Sequence, residues 1–376
     1  GYADKATGTT VPVDPQFHTY TTREPHGVVA GIVPWNAPFI FAAKKIAPAL
    51  AFGNVVVLKP ALETPLTALL LIEILAEAGL PPGVAQVACG DAALGAAMVT
   101  HPQTSLVVFT GSDRAGAAVG SAAAARFVPS VLELGGKSPQ IVFADADVEA
   151  AVDGIVEGFA GSCGQMCIAG SRLLVDAAIS GEVIDRVAAR VNGLRVGDPR
   201  DPGTQVGPQA TAAQAAKTLE FIVDGTRQGT LLASAKTPSS PELAGGSWVA
   251  PTVFTDLLED SRLLRDEIFG PVLTVETFDH EDAALTRAHA TEFGLAAGVW
   301  TSDVGRALTI ARELRVGTIW INTYRILNDA VPFGGVGRSG YGRENGTEAQ
   351  LLYTWTKSVW VSLRPGVPAS YKKEGA

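Results

Sequence analysis

Residues 27–60, GVVAGIVPWNAPFIFAAKKIAPALAFGNVVVLKP, decide the fold class. A short valine-rich run (28–33) stops at Pro34, an apolar stretch of helical length (39–51) follows, Gly53 ends it, and a second valine-rich run (54–58) leads into Lys59-Pro60. Continuous apolar runs of this length, bounded by turn residues, read as strands buried on both faces. A helix between two such strands makes a right-handed parallel crossover. The unit then repeats: helix at 65–78, strand at 84–89, helix at 92–99, strand at 106–110, an alanine-rich helix at 114–126 and a strand at 130–134. Strict alternation predicts an α/β fold with a doubly wound, mostly parallel sheet of the dinucleotide-binding type.

Alternation continues past Gly135 with strands at 140–143 and 172–175 and helices at 147–161 and 180–192, which predicts a second α/β unit. Loops rich in Gly, Pro and Asp fall at 197–209 and 237–246. Ahead of the first unit, residues 9–23 alternate apolar and polar around Asp14-Pro15 and read as a hairpin. A lone hairpin is marginal in water, so both it and a strand-like run at 358–363 are expected to pair across a subunit boundary. The polar tail 365–376 is expected to order only against a neighbour.

Composition excludes several partners. The chain has 376 residues, 47% of them hydrophobic, enough for two or three structural units of about 100 to 200 residues each. With 29 Lys and Arg against 38 Asp and Glu, the net charge of -9 offers no basic excess for nucleic acid or an anionic membrane. No apolar run is long enough to span a bilayer and no signal peptide opens the chain, so a soluble protein is expected. Three cysteines, Cys89, Cys163 and Cys167, suit a reducing cytoplasm better than a disulfide framework. Residue 1 is Gly, so the chain is expected to begin as a processed, trimmed or expressed fragment.

Two segments carry reactive chemistry. Gly164-Gln165-Met166-Cys167 follows a predicted helix that ends in Gly161-Ser162-Cys163-Gly164, where backbone N–H groups can approach a developing oxyanion. A thiolate attacks carbonyls, but a buried structural cysteine is the commoner fate of a free thiol, and Cys167 alone leaves that open. The Cys163-x3-Cys167 spacing has no second cluster, so no zinc site is expected. None of the five histidines stands in a base motif, which passes the base role to a carboxylate. Glu133 ends the fifth strand, where ligands bind in open α/β sheets, and a glutamate in an apolar strand is costly without a function. Asn36, in the turn Pro34-Trp35-Asn36-Ala37-Pro38, can donate to an oxyanion or simply hold a rigid turn. Lys59 after the second strand can reach a ribose or phosphate, and Phe109-Thr110-Gly111-Ser112 leads into a helix N-terminus suited to an anion. Gly335-x-Gly337-x-x-Gly340 follows Pro332-Phe333 rather than a strand and reads as a loop.

Taken in order, Pro34-Trp35-Asn36, Lys59-Pro60, Phe109-Thr110-Gly111-Ser112, Glu133-Leu134-Gly135-Gly136-Lys137, Gly164-Gln165-Met166-Cys167, Glu267-Ile268-Phe269-Gly270-Pro271 and Pro332-Phe333-Gly334-Gly335 resemble the aldehyde dehydrogenase superfamily across nearly the whole chain. The resemblance implies oxidation of an aldehyde to a carboxylic acid with NAD or NADP and no metal. It implies Cys167 as nucleophile, Glu133 as the base that activates water, Asn36 as oxyanion donor, and Lys45 with Glu344 as a proton relay. It implies a cofactor cradle of Val33, Pro34, Trp35, Lys59, Leu62, Gly90, Gly95, Thr110, Gly111, Ser112, Leu134, Gly135, Glu267 and Phe269. Phe41, Lys44, Met166, Ile168, Ile326, Leu327 and Phe333 are the expected substrate pocket, with Lys44 and Arg325 adding charge at its mouth. The implied organisation is a dinucleotide-binding domain (26–134 and 339–353), a catalytic domain (135–338) and an oligomerisation hairpin with a C-terminal strand (1–25 and 354–376), assembled as a homodimer or homotetramer. The competing readings are a CoA-acylating semialdehyde dehydrogenase and an inactive truncated paralogue that acts only as a subunit.

The chain departs from the family's pattern in three places. The largely helical segment that usually precedes the hairpin is missing, which would leave apolar surface on the cofactor domain uncovered. Leu62 stands where NAD-preferring members place a ribose-binding Glu, with Glu63 beside it, which makes NADP plausible. Lys44 stands where many members line the substrate tunnel with an aromatic ring, so an aldehyde with a distal acidic group or a snorkelling lysine would both fit. Cys167 is further expected to be the cysteine that iodoacetamide alkylates most readily.

Overall fold

The computed structural model describes residues 3–364, and the tail 365–376 lies outside them. The first strands in chain order are β1 (Phe17–Pro25), β2 (Val28–Ile32), β3 (Val55–Lys59), β4 (Ala85–Val87), β5 (Thr104–Thr110) and β6 (Ser130–Glu133), and β2 to β6 make five of the six strands of the first sheet. The strands β6-β5-β2-β3-β4 are parallel neighbours in that order. Side chains alternate across each strand. Val29, Val56, Leu58, Leu106 and Val108 pack on α1 (Pro38–Ala51) and α2 (Leu66–Glu77), while Ala30, Ile32, Val107 and Phe109 pack with residues of α3 (Ala92–Thr100) and α4 (Asp113–Ala124). Both faces are covered, as the apolar runs predict.

Strand order reverses between β2 and β5, because the chain first winds outward through β3 and β4 and then crosses back. A crevice opens at the carboxyl ends of the strands on either side of such a reversal. The loop after β2 carries Pro34, Trp35 and Asn36, and the loop after β5 carries Gly111 and Ser112.

A second sheet uses β7 (Pro139–Val142), β8 (Arg172–Asp176), β9 (Thr230–Ser234), β10 (Thr252–Thr255), β11 (Val272–Phe278), β13 (Ala296–Trp300) and β14 (Thr318–Ile321), with the short β12 (Phe293–Gly294) lying outside it. Its order is β14-β13-β7-β8-β11-β10-β9, parallel except for β9. Helix α5 (Val148–Ala160) buries Ile155, Val156 and Phe159 against it. The chain then returns to the first sheet through β15 (Val336–Gly337) and β16 (Gly340–Tyr341), where Gly340 pairs with Glu133. The glycine pattern at 335–340 therefore forms two short strands and a turn, and no helix.

The hairpin expectation needs correcting. The turn exists, with Phe17 N–H donating to the Asp14 carbonyl at 3.0 Å, but the strand before it is reduced to one bridge between Thr10 and Tyr20. The returning strand pairs within its own chain: β1 runs antiparallel to β17 (Thr354–Ser362) over the whole register from Phe17↔Ser362 to Pro25↔Thr354. That long register also starts β17 at Thr354, ahead of the expected 358. On the first sheet, Phe39 and Ile40 of α1 and Leu66, Leu69, Leu70 and Ile74 of α2 are exposed.

Candidate active site

Several loops and the ends of β5 and β6 converge on a cleft of ≈ 150 Å³ lined by Pro34, Trp35, Asn36, Phe41, Thr110, Gly111, Ser112, Glu133, Leu134, Gly135, Cys167, Glu267 and Phe269. Thirteen residues singled out in the sequence thus share one cavity. Gln214 and Lys217, on α7 (Ala212–Gln228), complete its wall; nothing local in the sequence marked them. The Gln214 side chain donates to the carbonyls of Ile268 and Phe269, each at 3.0 Å, and so fixes the loop that carries Glu267 and Phe269.

The Cys167 loop is held in an unusual backbone. After α5, Ser162 and Cys163 take φ of 53° and 54°, and Gly164 follows at +67°. Left-handed conformations in side-chain-bearing residues persist only where the surroundings over-determine them. Here a Cβ on Gly164 would lie 2.2 Å from the Gly270 carbonyl carbon, so glycine is required for this contact. Gln165 then bridges outward, its Oε1 accepting from Ala210 N–H at 2.8 Å, and its own carbonyl accepts from Asn36 Nδ2 at 2.9 Å. Asn36 is thereby clamped in the cleft that holds Cys167, while its buried Oδ1 has no partner among the described residues.

Glu133 is 4% exposed, and neither of its carboxylate oxygens has a hydrogen-bond partner among the described residues. Burial, reinforced by the Glu344 carboxylate, holds its pKa well above the ordinary range, although Lys45, Lys44 and Arg343 pull the other way. Glu344 is in close ion contact with the buried Lys45 and lies 3.6 Å from Lys44. Burial also pushes the Cys167 thiol up to about 12, with Glu267 and Glu133 adding to the shift, against the Lys44 charge and the Ile168 N–H. Glu267 sits at about 7, raised by burial and held back by the Gly136 N–H at 3.1 Å and by Lys217. A Cβ on Gly135 would lie 2.2 Å from Glu267 Oε2, so this glycine lets the carboxylate approach the strand end.

Exposure and these shifts point to a different alkylation order for the free protein from the one the sequence leads us to expect. Cys89 is the exposed cysteine, Cys163 is buried, and Cys167 is half-buried with a protonated thiol. Iodoacetamide should therefore label Cys89 first. Cys167 labelling should be slow at pH 7 and should accelerate by about tenfold per pH unit up to pH 10, because only the thiolate reacts. Peptide mapping of labelled protein checks this, and fast, pH-independent labelling of Cys167 would contradict it.

Other expected site residues fall outside the cleft. Val33 is buried under it, with its N–H donating to the Lys59 carbonyl at 3.1 Å. Lys59 is buried against Gly95, 3.5 Å from the position of a Gly95 Cβ, and donates only to the Pro60 carbonyl at 3.2 Å. Gly90 packs on Leu94 at the start of α3, and Leu62 is 56% exposed. These residues follow the carboxyl ends of β3 and β4, further along the same sheet edge. The apolar pocket set disperses. Ile168 is 1% exposed in the core of the second sheet, and its carbonyl accepts from the Tyr324 hydroxyl at 3.0 Å. Ile326 and Leu327 face solvent at 67% and 52%. Met166 packs on the core with Arg325 against its sulfur, and Phe333 is buried with the Lys44 ammonium 4.9 Å above its ring. Apolar character alone does not separate a core position from a pocket wall.

Comparison with known proteins agrees with the site. The model of the aldehyde dehydrogenase family matches residues 1–359. A betaine aldehyde dehydrogenase of Cereibacter sphaeroides is 46% identical over 99% of this chain and 76% of its own length. Betaine aldehyde dehydrogenase 2 of Rhizobium meliloti is 47% identical over 92% of this chain and 71% of its own. Among solved structures, PnpE in complex with nicotinamide adenine dinucleotide superimposes with a TM-score of 0.96 at 41% identity, over 99% of this chain and 77% of that one. The betaine aldehyde dehydrogenase of Staphylococcus aureus in complex with NAD+ gives 0.95 at 36% identity, over 99% and 74%. A cysteine, an unpartnered carboxyl and an amide drawn into one cleft at a strand-order reversal, in a chain this similar to those enzymes, place it in one family: the chain belongs to the aldehyde dehydrogenase family.

Proposed function

We propose that this chain oxidises an aldehyde to its carboxylic acid with NAD as preferred or co-equal acceptor alongside NADP, through a covalent intermediate on Cys167. The observation that supports it most is Glu133: a buried carboxyl with no protein partner, in the cleft that holds the thiol, has a place and a reason to bind water. A nearby carboxylate also favours release by water over release to CoA.

The residues fit a dinucleotide. Thr110 Oγ1 is buried at the end of β5 with no partner among the described residues, Ser112 caps α4 beside the cleft, and Glu267 lines the same cleft with a carboxyl that could accept from a ribose hydroxyl. When bound, the nicotinamide supplies a hydride acceptor. The Cys167 thiol gives up its proton to solvent, its Sγ bonds to the aldehyde carbon as the C=O π bond opens, and the second N–H of Asn36 Nδ2, whose first is spent on Gln165, is free for the resulting oxyanion. Loss of hydride leaves a thioester. Glu133 takes a proton from water, the hydroxide breaks the C–S bond, and the acid departs. Glu344, in contact with Lys45 and electrostatically linked to Glu133, is placed to pass that proton on. In this reading residues 26–134 with 339–353 bind the cofactor and 135–338 supply the nucleophile.

The two-stranded sheet of β1 and β17 exposes Phe17, Trp355, Trp360 and Val361. Two strands alone are marginal in water, so we read this sheet as the element that joins subunits into a homodimer or homotetramer. Sedimentation of active protein as a monomer would contradict that.

Cofactor choice follows from Leu62. It offers no acceptor for a ribose hydroxyl and no repulsion against a 2'-phosphate, and one lost charged hydrogen bond is worth about tenfold to a hundredfold. NADP should therefore serve within about two powers of ten of NAD, and Leu62→Glu should shift kcat/KM toward NAD. A strong NAD preference that disappears only in Glu63→Ala would instead assign the ribose contact to the exposed Glu63.

A further inference from the structure

The turn between β15 and β16 ties the two units of the chain together through one side chain. Its residue Arg338 follows Gly337, which pairs with Phe293 of β12, and precedes Gly340, which pairs with Glu133. On the β12 side Arg338 is held three ways. Its backbone N–H donates to the Glu292 carbonyl at 2.9 Å, Nη1 donates to Glu292 Oε2 at 2.8 Å, and the guanidinium lies 5.6 Å from the centre of the Phe293 ring. The other arm, Nη2, crosses to the first sheet's helices and is in close ion contact with Asp113, the first residue of α4.

Asp113 stands where an anion would bind. The free N–H groups at the start of a helix carry partial positive charge and suit a phosphate. In α4 two of them are already taken: Ser112, in the wall of the cleft, accepts the Ala115 N–H at 3.3 Å, and Asp113 Oδ1 accepts the Arg114 N–H at 2.8 Å. A full negative charge is thereby pinned beside Ser112, where it supports the helix and repels any second anion brought to the same end. That charge reaches the cleft, since Glu267, raised chiefly by burial, is raised further by Asp113. Among the described residues Arg338 is the one cation paired with Asp113. The two side chains are 53% and 27% exposed, so their pairing adds little to stability.

We propose that Arg338 is a positioning residue for the cofactor: by holding and neutralising Asp113 from the neighbouring unit, it leaves the start of α4 able to receive the diphosphate of a dinucleotide. The proposal rests on the reading of this cleft as the dinucleotide site. Arg338 acts through Asp113 and not on the cofactor itself, because its two arms are spent on Glu292 and Asp113. Its role is therefore conditional. Where residue 113 carries no charge, Arg338 is not needed.

Calorimetric titration with NAD at low ionic strength tests this on the whole chain, on Arg338→Gln, on Asp113→Asn and on the double variant. Arg338→Gln should weaken NAD binding by about fivefold to thirtyfold, the effect of one uncompensated charge close to a diphosphate at a partly exposed site. The same factor should appear in KM for NAD, with kcat at saturating NAD and the melting temperature nearly unchanged. Arg338→Lys should keep most of the affinity, and added salt should shrink the defect of Arg338→Gln. Adding Asp113→Asn to Arg338→Gln should restore NAD affinity to within about twofold of wild type. A double variant as weak as Arg338→Gln would mean that Arg338 touches the cofactor or only joins the two units, and would overturn the proposal. Unchanged affinity in Arg338→Gln would overturn it as well. Wild-type titration reports separately on the dinucleotide reading, and a chain that binds no NAD would remove that reading and the proposal together.

Discussion

Cys167→Ala is expected to lose aldehyde oxidation by at least about four powers of ten, since removing a covalent nucleophile removes both half-reactions at once. Reduced-cofactor formation, followed by absorbance with the best aldehyde, measures the loss. Cofactor binding should survive, because Thr110, Ser112, Lys59 and Glu267 are all untouched and the thiol makes no hydrogen bond that holds any of them. Cys163→Ala provides the comparison. Its sulfur is buried in the core of the second sheet, so its loss should cost stability and leave the chemistry in place. Residual turnover in Cys167→Ala at more than about a hundredth of wild type would show that the nucleophile lies elsewhere.

The second large effect separates the two half-reactions. Glu133→Gln keeps the shape of the side chain and removes the base, so the first turnover should still release a burst of reduced cofactor while steady-state turnover falls by about two to four powers of ten. The pH profile carries independent information. Burial and Glu344 keep Glu133 protonated above the usual carboxylate range, so its basic form grows as the pH rises, and wild-type turnover should climb through that raised pKa. Stability moves in the opposite sense: the folded state binds this proton more tightly than the unfolded chain, so the contribution is present at low pH and is lost as the pH rises through the folded pKa. In Glu133→Gln both dependences should flatten. Equal loss of burst and turnover would instead assign Glu133 a role in activating the thiol or in holding the loop.

The centre of the first sheet was legible because β2, β3 and β5 are apolar runs separated by helices, a pattern that few other arrangements share. The second was legible only to Ser180–Asn192. Beyond it, β13 is Ala-Ala-Gly-Val-Trp and β9 is Thr-Leu-Leu-Ala-Ser, compositions that local propensity does not assign to strands; tertiary pairing makes them so. The site residues that were found sit in turns with distinctive chemistry, such as Pro34-Trp35-Asn36 and Gly135-Gly136. Gln214 and Lys217 reach the same cleft from the first two turns of an ordinary amphipathic helix, where nothing in their neighbourhood distinguishes them. The labelling order that the structure predicts has the same origin. Exposure of Cys89 and burial of Cys167 are set by what packs around them, and a motif does not report that.

The central claim is a thioester on Cys167 that Glu133 discharges, and the trapped intermediate tests it most directly. Glu133→Gln is incubated with NAD and an aldehyde, quenched in acid, and measured by intact mass and peptide mapping. The account predicts one added acyl group, the mass of the aldehyde less two hydrogens, on the peptide that contains Cys167 and on no other. An unmodified Cys167 after a full burst of reduced cofactor, or an acyl group on Cys89 or Cys163, would contradict it.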